Sequence, residues 1–99
     1  MVRHIVMWKY NEDLSLEKRD ELFDKLDSAC NDMNGNISGL IEAKLLKNAN
    51  EKEVYGLCLV CDMENMEAVR SYQDDPLHIV FKNIITGNVN GRACIDAEI

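Results

Sequence analysis

Two histidines, three tyrosines and one tryptophan are spread through this chain, and the densest grouping of reactive side chains is Ser71 to Phe81, SYQDDPLHIVF. It contains the only proline. With no N–H to donate and a fixed φ, Pro76 suits the first position of a short helix, with Asp75 before it as the N-cap. His78 then falls in the first helical turn, where unpaired N–H groups and the positive end of the helix dipole disfavour imidazolium. The expected ring is neutral and able to accept a proton or a hydrogen bond. Taken alone, the same pattern also describes a half-exposed residue beside a capping carboxylate.

Four cysteines are the other group with potential chemistry, and Cys58 with Cys61 forms a CxxC. That pair lies within YGLCLVCDM, which reads as a strand, where residues three apart point to opposite faces and cannot share an ion. No helix begins there, as a thioredoxin-like motif would require. The cysteines are expected to be reduced and to act as small core residues. His4 and His78 are the only imidazoles and are not spaced as a ligand pair, while Asp74 and Asp75 are accounted for by a turn and an N-cap. No metal and no cofactor is expected.

Six segments, the fifth a pair of short helices, must position these groups. A first strand, Val2 to Tyr10, puts Val2, His4, Val6, Trp8 and Tyr10 on one face and Arg3, Ile5, Met7 and Lys9 on the other. A helix capped by Ser15 runs to about Asn34, with an inward stripe of Leu22 or Phe23, Leu26, Ala29 or Cys30 and Met33. Leu40 to Lys47 and Tyr55 to Met63 read as strands. A short helix from Asn65 turns Met66, Val69 and Tyr72 inward and stops before Pro76, and the His78 helix follows as far as Gly87. The ending RACIDAEI alternates as a last strand, with Ala93, Ile95, Ala97 and Ile99 opposite Arg92, Cys94, Asp96 and Glu98.

This order predicts one α+β domain over residues 1–99, a ferredoxin-like βαββαβ sandwich with a four-stranded antiparallel sheet. Its helices can cover only one sheet face, yet the first and third strands are apolar on both. The second face needs a cover, and a second copy of the chain is the simplest, giving a homodimer through the sheets. If the His4 side of the first strand faces that partner, Val6→Asp splits the dimer.

A net charge of −7 repels phosphate backbones and anionic membranes, so neither nucleic acid nor membrane is expected as a partner. The apolar run Val2 to Trp8 is interrupted by charge and is too short for a span or a signal sequence, which points to a cytoplasmic protein.

VRHIVMWK at the start, ISGL before the second strand, SYQDDPLHIVF and RACIDAEI together resemble the stress-responsive dimeric α/β-barrel family, Dabb, across Val2 to Ile99. The resemblance implies a ferredoxin-like homodimer whose two sheets face each other as a barrel. Some plant members are stress proteins without known catalysis, many bacterial members are uncharacterised, and one plant branch consists of polyketide cyclases with a histidine base in a YxxxPxH segment. His78 and Tyr72 stand at the matching positions, and His4 matches a first-strand pocket histidine. Leu57 replaces a further pocket histidine, Leu26 stands near a replaced tyrosine, and Ser38 replaces the proline of the usual IPGL turn.

The favoured function is a non-catalytic stress-responsive homodimer, or one that binds a small apolar ligand in a sheet-lined cavity with His4, Trp8, Tyr72 and His78. The alternative is a cofactor-independent enzyme, cyclase-like or oxygenase-like, with His78 as general base and Tyr72 steadying the developing enolate.

Overall fold

The computed structural model describes all residues 1–99, arranged as β1 (Val2–Tyr10), α1 (Leu16–Met33), β2 (Leu40–Lys47), β3 (Leu57–Met63), α2 (Met66–Tyr72), α3 (Pro76–Ile85) and β4 (Val89–Glu98). The strands form one sheet in the order β2-β3-β1-β4, and every neighbouring pair is antiparallel. This is the ferredoxin-like βαββαβ sandwich. Two boundaries differ from the sequence reading: β3 starts at Leu57 rather than Tyr55, and β4 starts at Val89 rather than Arg92. Asn48 bonds the backbone of Tyr55 and Gly56 and so holds those residues in the turn, while β4 gains residues by pairing past Trp8 to Tyr10.

Side-chain chemistry at the helix ends sets where each helix begins. Ser15 Oγ accepts from the Lys18 N–H, Asn65 Oδ1 from Ala68, and Asp75 Oδ1 from Leu77, so each helix has one otherwise unpaired donor satisfied. At the other end of α1, Asn34 bonds both the N–H and the carbonyl of Ala43, pinning the helix to β2. Gly39 has φ +84°, and a Cβ there would come within 2.6 Å of Ala68 Cβ, so this turn into β2 can lie against α2 only as glycine.

All three helices lie on one side of the sheet. Val2, Val6 and Trp8 of β1 and Leu57, Leu59, Cys61 and Met63 of β3 are buried against Leu22, Leu26, Cys30, Met33, Tyr72 and Phe81. The His4 side of β1 therefore faces the subunit's own helices. Val6, 2% exposed, belongs to the core, and Val6→Asp would unfold the chain rather than report on a dimer.

The opposite face is bare in the single chain. Across it run the rows Lys44, Val60, Ile5, Ile95 and Leu46, Cys58, Met7, Ala93. Ile95 is 58% exposed and Leu46 49%. At the edge of this patch Arg3 and Asp62 form a two-bond ion pair, with Nε to Oδ1 at 2.8 Å and Nη2 to Oδ2 at 3.1 Å. Strand β4 is the telling case, because Ala93, Ile95 and Ala97 point to this bare side, while only Val89 at its start packs against the core. Arg92, Cys94 and Asp96 point instead to the helix side, which no helix covers at that edge.

Candidate functional site

Because the helices cover β2, β3 and β1 but stop short of β4, a cavity of about 650 Å³ opens between α3 and the β1–β4 half of the sheet. His4, Trp8, Tyr72 and His78 all line it. The sequence reading placed the ligand space in a sheet-lined cavity that depended on the barrel. The cavity instead lies within one chain, between a sheet and its own helix, and needs no second copy to form its walls.

His78 is the third residue of α3 and is held from behind. The Gln73 carbonyl lies 3.1 Å from its Nδ1, so Nδ1 carries a proton and Nε2 keeps its lone pair. Burial pushes its pKa below the ordinary 6.5, the Gln73 carbonyl opposes that shift, and Lys82 adds to it. A neutral ring was expected from the helix N-terminus; loss of water on burial acts in the same direction.

His4, 3% exposed, points from the centre of β1 toward the edge strand. Its Nδ1 lies 2.6 Å from Asp96 Oδ1, the residue directly opposite it in the β1–β4 ladder. The carboxylate fixes the Nδ1 proton and the ring orientation. Between the two histidines stands Tyr72, edge-on to His4 with centroids 5.8 Å apart and tilted against His78 at 4.3 Å. Tyr72 is 1% exposed, and its hydroxyl meets the Cys61 thiol at 3.9 Å. Burial raises the Tyr72 pKa, with the thiol adding to the effect, and burial pushes Cys61 itself up to about 12. Both groups stay protonated at neutral pH. Trp8, 8% exposed, packs against Phe81 at 6.0 Å and forms the apolar floor.

Asp96 is the site residue that sequence reasoning missed. Its polar alternation in β4 was visible, but the pairing with His4 depends on the strand register. Cys94 also falls beside this pair, its Sγ 3.7 Å from His4 Nδ1. Cys94 is exposed and Cys58 half-buried, so only Cys30 and Cys61 are the core cysteines expected of all four. His4, Cys94 and Asp96 bring nitrogen, sulfur and oxygen atoms within 4.8 Å of one another. At 2.6 Å, however, the histidine and carboxylate are closer than the roughly 3.3 Å that separates tetrahedral ligands of a zinc ion. The geometry is that of a hydrogen bond.

A larger cleft of about 850 Å³, between Tyr10, Arg19 and the turn after β2, holds no histidine or cysteine. Arg19 is already engaged there with the carbonyls of Leu14 and Asn11.

A ferredoxin-like sandwich with an intrachain pocket on its helix side is the class these features define. The chain belongs to the Stress responsive A/B Barrel Domain family, Dabb, which matches residues 2–99. Among solved structures, it is similar to a dimeric protein of unknown function with a ferredoxin-like fold from Bacteroides fragilis, at 26% identity and TM-score 0.93, covering 99% of this chain and 95% of that one. A dimeric ferredoxin-like protein from Thermobifida fusca aligns at 19% identity and TM-score 0.81, over 99% and 90% of the two chains. The hydroxynitrile lyase of Passiflora edulis shares the fold at 14% identity and TM-score 0.74, over 99% and 92%. No curated protein matches the sequence. No helix is long and apolar enough to cross a membrane.

Proposed function

We propose that this Dabb protein works as a homodimer in which each chain binds a small, largely apolar molecule in the cavity between α3 and β4. One observation carries the reading: His4, Tyr72 and His78 form a continuous run of rings, and the Trp8–Phe81 pair lines the same cavity, so apolar ring surface and a few polar tips face one space. The bare sheet face and the dimeric state of the Bacteroides fragilis relative support pairing through the sheets. Four free cysteines and a charge of −7 suit a reducing, cytoplasmic setting without nucleic acid. Uptake of N-phenyl-1-naphthylamine, followed by energy transfer from the single tryptophan, tests the cavity. One equivalent per chain is expected, and no uptake would overturn the reading.

A second reading makes His78 a general base in a cofactor-independent reaction, with proton abstraction at a carbon next to a carbonyl. Its neutral ring, held through Nδ1 with Nε2 unengaged, favours this. Tyr72 then positions the base by ring contact. A His78→Ala variant that folds normally and turns over an identified substrate at the wild-type rate removes His78 from any such mechanism.

A further inference from the structure

The chain has 18 carboxylates against 11 lysines and arginines, yet neither Asp nor Glu lines the α3–β4 cavity, while Lys82 and Arg92 both do. The carboxylates close to it are already engaged: Asp96 accepts from His4, and Asp75 caps α3. Neither Lys82 nor Arg92 takes part in any of the molecule's ion pairs. The two cations come from opposite walls. Lys82 lies one turn beyond His78 on α3, so both side chains share one helix face. Arg92 lies opposite Trp8 in the β1–β4 ladder, on the side of β4 that no helix covers.

Their fields reach inward. Lys82 helps to hold the His78 ring neutral, and Arg92 favours the ionised form of Tyr72 against the larger effect of burial. Two positive charges facing one partly desolvated space, with no acidic side chain in its lining and none paired to either cation, leave that space favourable to an anion.

We propose, building on the cavity reading above, that the ligand is an amphipathic organic acid, its anionic head held between Lys82 and Arg92 and its apolar body laid against Trp8 and Phe81. The binding energy comes from burying the body; the head sets orientation and selectivity. Partly exposed cations contribute modestly and are screened by salt, so the preference for the acid is a matter of several-fold.

A matched pair of fluorescent probes tests this, 8-anilinonaphthalene-1-sulfonate and N-phenyl-1-naphthylamine, which differ only in the sulfonate. In dilute buffer the sulfonate is expected to bind roughly three- to tenfold more tightly, and the difference should collapse in about 0.5 M KCl. Lys82→Gln combined with Arg92→Gln should bring the two probes to equal affinity, read as the ratio of their dissociation constants in the same variant. Lys25→Gln with Lys52→Gln makes the same change in net charge away from the cavity and should leave the preference intact. Equal binding of both probes to the native protein overturns the anionic head and leaves the cavity standing. A preference that falls equally in both double variants overturns it too, since net charge then explains the effect. Binding of neither probe sinks the underlying cavity reading instead.

Discussion

His78 shows how a single residue ties the site to the stability of the chain. Its folded pKa is depressed by burial, so the unfolded chain takes up the proton more readily than the folded one. Stability from this group is complete above the ordinary histidine value of 6.5 and falls as the pH drops below it. Urea melts at pH 7.5 and 5.5 should show a loss at the lower pH that is reduced in His78→Gln. Asp62, lowered by its bond to Arg3, acts in a separate window below its ordinary 3.8. The cysteines make a second prediction at this scale. Cys94 should alkylate first with iodoacetamide, whereas Cys30 and Cys61, pushed by burial up to about 11 and about 12, stay silent until the chain unfolds. Peptide masses distinguish them, and equal labelling of Cys61 and Cys94 contradicts the core placement.

At the scale of elements, Trp8 tests how β1 and α3 depend on each other. It is buried against Phe81 but borders the cavity, so Trp8→Ala should cost roughly 3 kcal/mol in urea denaturation, near the low end for a buried aromatic. A loss below about 1 kcal/mol would mean that α3 does not rest on this ring. The elements themselves were legible in the sequence. Ser15, Asn65 and Asp75 mark helix starts by local hydrogen bonding, and Pro76 separates α2 from α3, so each could be read without tertiary information. The start of β4 was not legible, because Val89 to Gly91 ends a run from Thr86 that looks like a turn, and becomes strand only by pairing with Tyr10 and Lys9. The His4–Asp96 contact was hidden for a related reason: 92 residues separate the partners, and a register shift of one would set Asp96 on the other face.

For the whole molecule, alternation gave the two apolar sheet faces correctly but could not tell which one the helices cover. That choice is made by the crossovers through α1 and α2–α3, which lie on the same side of the sheet. The bare rows around Ile5, Val60 and Ile95 are the expected contact between two copies. Ile95→Lys is the informative change, since 58% exposure means the single chain tolerates it. Light scattering should give twice the 11.3 kDa chain mass for the native protein and a shift toward one chain mass for the variant. A variant that stays at the double mass with unaltered affinity places the contact elsewhere.

A single layer of strands separates two compartments of different purpose. Val6 and Trp8 look toward the pocket, while Ile5 and Met7, their immediate neighbours in the chain, look toward the face the helices leave bare. Occupancy on one side can therefore be felt on the other only through small tilts of one backbone ribbon. Two such molecules back to back would carry a pair of outward-opening chambers linked only through those ribbons, and a chain kept solitary would still have its own.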